Sequence, residues 1–366
     1  MMTRLEEIFS IVPDPRVEGR CLHKLLDILM ISLCTMIADG EDFEDMVEFG
    51  LQKEALLRGF LDLPHGIPSH DTFNRVFQIL DNQALDKCLG LHGKELLDIV
   101  CEKQICIDGK KLRGVTPTKR GNHGLYILNA WVAENKLCIG QLKVGDKSNE
   151  ITAIPQLLEE LDIKDSLVTI DAIGCQKEIA KTIRLKEADY LLAVKENQKD
   201  LFEEVTLGFK HHKVVKSAEP SEQNHGRIEQ RQCSLLSALE VLSPDLLKQW
   251  CDIKTLIKIE AKRTIKGVLQ EETRYYISSD ESCKPLFFNS LVRAHWGIEN
   301  QLHWHLDVTF NEDASRARTA NAPLNLSTIR KIALHLITQM NDKISLKKRR
   351  YRAALNDDYL LKVLQF

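Results

Sequence analysis

Over the first hundred positions the apolar residues recur at helical intervals. Leu22, Leu25, Leu26, Leu29, Leu33 and Met36 fall three or four residues apart, the pattern of one face of an amphipathic helix. Asp39-Gly40 supplies its stop. Pro64 to Pro68 marks a loop, after which Ser69 is placed to cap a helix whose packed face is Phe73, Val76, Phe77 and Leu80. Two shorter helices are expected to follow, up to Val100.

From Gln104 the period shortens. Segments 105–108, 125–133 and 137–144 are rich in β-branched and aromatic residues, and Glu134-Asn135 makes a hairpin turn between the last two. A helix over 149–161, a buried strand over 167–173, a helix over 177–186 and a strand over 190–194 come next. Three strands, a helix, then alternating strands and helices define an α/β chain with the element order of a ribonuclease H-like core. In that topology the first and fourth strands lie side by side. Residues 198–284 begin helically through His212 and then read as strands at 227–236, 255–262 and 272–278, a β-rich insertion. The core resumes with a long helix from Pro285 and a final helix over 324–340. The expected organisation is a helical domain (1–100), the first part of the core (101–197), the insertion (198–284) and the remainder of the core (285–366).

Composition narrows the class. A chain of 366 residues, 43% apolar and 28% charged, is globular and long enough for more than one core. The longest apolar-rich stretch, from Leu25 to Ala38, contains Asp27 and is too short to span a bilayer. Arg4, Glu6 and Glu7 interrupt any signal-peptide pattern, so a cytoplasmic protein without a membrane segment is expected. The ten cysteines form no Cys-x-x-Cys pair and read as free thiols. A net charge of −3 carries no global nucleic-acid signature, so any DNA contact must come from local patches.

Three acids stand out by their surroundings. Asp108 follows an apolar run in Gln-Ile-Cys-Ile-Asp-Gly-Lys-Lys-Leu-Arg-Gly (104–114), and Asp171 does the same in Leu-Val-Thr-Ile-Asp-Ala-Ile-Gly-Cys-Gln (167–176). Glu299 lies in Arg-Ala-His-Trp-Gly-Ile-Glu-Asn (293–300). Asp108 and Asp171 end the first and fourth expected strands, which makes them neighbours, and a packed helix brings Glu299 to meet them. Magnesium takes hard oxygen ligands and keeps several waters, so three convergent carboxylates suit it. Two such ions stabilise the attacking and leaving oxygens of an in-line phosphoryl displacement.

Other readings of the same region stay open. Helical spacing puts His295, Glu299 and His303 on one face, a set zinc also accepts, or else a polar face flanked by buried Trp296 and Trp304. Asp307, Glu312 and Asp313 compete with Glu299 as the third acid. Lys110, Arg113, Lys147 and Lys195 place positive charge near expected strand ends, and Lys-Lys-Arg-Arg-Tyr-Arg (347–352), with Lys348 and Arg349, is a solvated tail or a phosphate contact. The polar first turn of Pro-Ser-His-Asp-Thr-Phe-Asn-Arg-Val-Phe (68–77) is an ordinary helix start, or a DNA-reading one if the adjoining domain handles DNA.

Several long segments resemble one family. Ile-Asp-Gly-Lys-Lys-Leu-Arg-Gly, Lys-Ser-Asn-Glu-Ile-Thr-Ala-Ile-Pro (147–155), Thr-Ile-Asp-Ala-Ile-Gly-Cys-Gln, His-Gly-Arg-Ile-Glu (225–229) and His-Trp-Gly-Ile-Glu-Asn-Gln-Leu-His-Trp-His-Leu-Asp-Val-Thr-Phe-Asn-Glu-Asp are similar to the ISAs-type insertion-sequence transposases, which include the H-repeat-associated proteins. Residues 14–29 resemble the helical segment that precedes the transposase domain there. The resemblance implies a DDE transposase in which Asp108, Asp171 and Glu299 hold two Mg²⁺ ions, with Mn²⁺ able to substitute. It implies double-stranded DNA as substrate, at the element's inverted repeats and at the target, and a homodimer when bound to it. Related DDE families surround the Glu with Tyr, Arg and Lys; the same offsets here carry Val292, His295 and Leu306, so that wider signature is absent. His295 would then meet a phosphate only if protonated. Two rivals share the acids: a ribonuclease H-like nuclease without strand transfer, and a catalytically silent DNA-binding descendant.

Overall fold

The structure, a computed structural model, describes residues 4–17, 19–97, 103–115, 125–145, 150–219, 222–224, 227–265 and 267–364. Lys147, His225 and the helix end expected at Val100 lie outside them.

The N-terminal region is helical: α1 (Arg4–Ser10), α2 (Leu25–Ile37), α3 (Phe43–Gln52), α4 (Glu54–Leu57), α5 (His70–Ile79) and α6 (Asn82–Leu97). Leu22 is not part of α2 and stays 64% exposed; the helix starts only after Lys24, whose backbone is extended. Asp39, at φ 74°, turns the chain after that helix. The Ser69 hydroxyl accepts a hydrogen bond from the Thr72 N–H and starts α5 as expected. A single helix, α6, stands where two short ones were expected.

A sheet follows. β1 (Gln104–Leu112), β2 (Leu125–Val132) and β3 (Leu137–Val144) form an antiparallel meander. Then come α7 (Glu150–Glu160), β4 (Leu167–Ile170), α8 (Lys177–Leu185), β5 (Asp189–Val194) and α9 (Lys199–His211). The next elements are β6 (Val215–Ala218), β7 (Glu222–Asn224), β8 (Arg227–Ser237), α10 (Ala238–Val241), α11 (Pro244–Gln249), β9 (Thr255–Ile265) and β10 (Val268–Ser278). The strand order is β3-β2-β1-β4-β5-β10-β9-β8-β6, with β7 also on β8. β1, β4 and β5 run parallel, and β10 joins β5 antiparallel. The segment expected as an insertion therefore continues the sheet beyond β5.

The chain ends in α12 (Pro285–His295), a π-helical turn at Ile298–His303, α13 (Trp304–Val308), α14 (Ala322–Gln339), α15 (Leu346–Leu355) and α16 (Asp357–Leu364). The long helix expected from Pro285 stays helical through Trp296 and Gly297 and widens into the π turn that carries Glu299. Every residue of α14 from Ala322 to Ile337 is buried. The helix packs against α2, α5, α6, α15, α16 and β3, so residues from both ends of the chain share one apolar core with Cys106, Trp131 and Cys138 of the sheet. A second core on the opposite face is made by α7, α8 and α9 with the strands.

Two arginines of the basic cluster hold these helices. Arg350 is buried and donates to the carbonyls of Met36 and Gly40, 2.9 Å each, and of Thr309, while standing 3.1 Å from Asp39. Arg349 donates to the carbonyls of Ile337, Thr338 and Asp342. Helix C-termini leave carbonyls without partners, and these guanidiniums satisfy them. Arg349 is therefore a structural cap and not the free phosphate contact expected of it; Lys348 beside it stays exposed.

Candidate active site

β1 and β4 pair in register from Gln104↔Leu167 to Ile107↔Ile170. The next residue on each is an acid, so Asp108 and Asp171 sit side by side where β4 stops. Asp108 is not at a strand end: β1 continues to Leu112, held by β2, with Asn129 opposite Asp108. Asp171 lies one residue beyond its strand, and its Oδ1 accepts from the Ile173 N–H at 3.0 Å, capping a short turn over Ala172–Gly174. A fourth acid, Glu150 at the start of α7, lies against the backbone of Gly109, where any Cβ would collide with its carboxylate.

Glu299 reaches this edge from the π-helical turn and is exposed. This stretch is a π turn, which holds more residues per turn than the α-helix on which the spacing of His295, Glu299 and His303 is counted. The three side chains meet different surroundings. The His295 Nδ1 is 2.9 Å from the Thr169 hydroxyl. His303 points to the acids, its Nδ1 3.6 Å from Asp108 Oδ2 and its Nε2 3.3 Å from Asn129 Nδ2. Gly297 is pressed on the Trp131 ring, which leaves no room for a side chain there. Trp304 is half exposed, not buried, and the Arg274 guanidinium lies 4.5 Å over the Trp296 ring.

Burial pushes the Asp108 carboxyl up to about 7, and the charges of Asp171, Glu299 and Glu150 add to the rise. Glu150 is raised by burial and by Asp171. Burial drives the His303 imidazole down to about 3, with Lys110 and Lys331 opposing its protonation further, so it is neutral. The acids thus share one field. Among the described residues, however, no three His, Cys, Asp or Glu side chains already close around a point that would hold an ion. The donor set fits a hard divalent cation: all are carboxylate oxygens, and a cation between them relieves the repulsion that adds to the rise of Asp108.

The other acids are engaged elsewhere. Lys110 is buried on β1 and clasped by Asp307 Oδ1 at 2.6 Å and by Glu312. Glu312 is itself buried, and Asp313 lies beside Arg113. Lys110 is therefore not the exposed phosphate contact expected from sequence. Nor is His295, whose burial drives it down to about 4. Arg113 is 82% exposed, and Lys195 is exposed on the rim of a cleft of about 680 Å³ that includes Asp171, Arg274, Tyr275 and Trp296. Sequence reading passed over Glu150 and Asn129. The signal for Glu150 lay within the quoted 147–155 segment. Asn129 is a lone amide in the apolar run Leu-Tyr-Ile-Leu-Asn-Ala-Trp-Val.

Comparison with known proteins places the chain. A transposase DDE domain matches residues 100–336, from just before β1 into α14, and a DDE_Tnp_1-associated segment matches residues 6–92. The chain belongs to the DDE_Tnp_1 transposase family. It is 40% identical over 370 residues to "Putative transposase YncI" of Escherichia coli O157:H7, covering 98% of this chain and 94% of that protein. It is 36% identical over 379 residues to "H repeat-associated putative transposase YhhI" of Escherichia coli strain K12, covering 99% and 98%. "Inactive transposase YbfQ" of the same strain is 40% identical over 75 residues, 20% of this chain and 89% of that protein.

Proposed function

We propose that this chain is an insertion-sequence DDE transposase with a ribonuclease H-like core, which cuts DNA at the element ends and joins them to a target. The observation that carries the reading is the placement of Asp108 and Asp171 as neighbours at the end of the parallel β1–β4 pair, in a member of a transposase family. Asp108, Asp171 and Glu299 would hold two Mg²⁺ ions, with Mn²⁺ able to substitute. Bound there, the ions would stabilise the attacking and leaving oxygens of an in-line phosphoryl displacement.

The residues of the chain supply the rest. The β1–β2 pairing fixes the height of Asp108, and the cap on Ile173 fixes Asp171. Arg113, Lys195 and Lys348 offer exposed charge to DNA phosphates. The polar start of α5 is free of the core and suits contact with the repeats. Two element ends must be held together, so the working form on DNA is a homodimer, acting in the cytoplasm on the nucleoid.

The test uses purified protein and a labelled fragment carrying the flanking repeats, with Mg²⁺ or EDTA, beside Asp171→Ala. Cleavage at the repeat ends that requires both Mg²⁺ and Asp171 is expected. A pre-cut end then reports joining, which separates a transposase from a nuclease. Binding without metal-dependent cleavage would overturn the reading in favour of a silent DNA-binding descendant.

A further inference from the structure

We infer that His303 and Asn129 form a relay that orients Asp108, selecting which of its carboxylate oxygens is left to a cation; this rests on the function proposed above. Asn129 stands opposite Asp108 in the β1–β2 register. It is buried, and its Nδ2 is 3.3 Å from His303 Nε2 while also lying 3.4 Å from the Ile127 carbonyl. An amide nitrogen can only donate, so Nε2 accepts and carries no hydrogen. In the neutral ring the hydrogen is then on Nδ1, which faces Asp108 Oδ2.

The opposite amide orientation gives up both donor contacts of Asn129 Nδ2. With Oδ1 turned to the ring, Nε2 would hold the hydrogen and Nδ1 would present a lone pair to a carboxylate. The Ile127 carbonyl would also face an oxygen. At 3.6 Å the Nδ1 to Oδ2 contact is longer than a hydrogen bond. Such contacts in unliganded sites shorten when the site is loaded. The side chains of His303 and Asp108 are only 12% and 22% exposed, so water has little room to replace the donor.

The relay also couples two elements. His303 closes the π-helical turn that carries Glu299, and Asn129 belongs to β2. An Nδ1–H on Oδ2 ties that turn to β1 and leaves Oδ1 of Asp108 to a cation. His303 is a positioning residue: it acts through Asp108.

The two ring positions can be tested separately. Asn places its amide nitrogen where His has Nδ1, and Gln places its own where His has Nε2. Wild type, His303→Asn, His303→Gln and His303→Ala are titrated with Mn²⁺, free ion being read by electron paramagnetic resonance, and cleavage is measured against Mg²⁺ concentration. His303→Asn is expected to stay close to wild type. His303→Gln and His303→Ala are expected to need about tenfold or more metal, the usual scale for losing a partner behind a metal ligand. If His303→Ala does not fold, the Asn and Gln variants still decide. Equal Mn²⁺ affinity in those two, whether both native or both weakened, would overturn the relay. Wild type that neither binds Mn²⁺ nor cleaves would instead overturn the function on which it rests.

Discussion

Among the described residues Glu312, whose side chain is 1% exposed, pairs directly with Lys110, and Lys110→Met removes that partner. The other carboxylate oxygen, Oε1, is buried without a hydrogen bond, so the charge depends on its neighbours. Burial alone would raise this carboxyl, yet Lys110, followed by Arg330 and Lys331, holds it down at about 2 against an ordinary 4.5. That depression corresponds to about 3 kcal/mol of favourable interaction with the charged form. Removing one partner of a buried pair costs about 3–5 kcal/mol. Because Arg330 and Lys331 remain, the lower figure is expected: a loss of about 3 kcal/mol in urea unfolding at pH 7. The pH dependence has a definite sign. A depressed acid contributes stability that is complete above its unfolded value of 4.5 and is lost as pH falls through about 2, so the gap between variant and wild type narrows over that window. Lys110→Met/Glu312→Leu should recover much of the loss, since an apolar pair replaces a buried ionic one without leaving a lone charge. A single variant within about 0.5 kcal/mol of wild type at pH 7, the ordinary range for surface changes, would refute the reasoning.

Arg350→Met leaves three carbonyls without their charged donor and should cost at least about 3 kcal/mol in the same unfolding assay. Lys348→Ala, one turn face away, should leave the unfolding midpoint unchanged while weakening DNA binding and reducing its salt slope by about 1, measured by anisotropy across a salt series. Asp86 keeps some exposure as a residue, but its Oδ1 faces inward to Thr328 Oγ1 at 2.6 Å and Gln141 Nε2 at 2.9 Å, and burial pushes its carboxyl up to about 6 from 3.8. A raised acid disfavours folding progressively as pH rises from 3.8 through about 6. Asp86→Asn keeps both hydrogen bonds and should stabilise the protein at pH 7 by about 1–2 kcal/mol, after allowance for solvent screening, with little effect below pH 4.

The acids and strands were legible because their signals are local. An apolar run followed by Asp and a small residue marks both β1 and β4, and the order of elements then makes Asp108 and Asp171 neighbours. The strand boundaries were less legible: β1 runs past Asp108 because its antiparallel partner β2 extends to Leu125↔Leu112, a fact about pairing that periodicity does not carry. The basic residues failed for a similar reason. Lys110, Arg349 and Lys348 look alike in sequence, and only the tertiary positions of Asp307, Glu312 and the end of α14 separate structural cations from free ones. The π turn at Ile298–His303 has no sequence rule behind it here, and it carries both Glu299 and His303.

The burial of α14 has a consequence for synthesis. α2, α5 and α6 leave the ribosome before α14, the helix that covers their apolar faces, has been made. At about 5–20 residues per second, the interval between α6 and the end of α14 is roughly 12 to 50 s. During that time Phe73, Phe77 and α2 lack the cover that α14 gives them. A chain interrupted anywhere before Ala322 would leave those helices permanently without their centre, even with all three acids already translated. Premature stops late in such a reading frame would therefore be read out as aggregation or proteolysis of the whole product, not as a shortened but working enzyme.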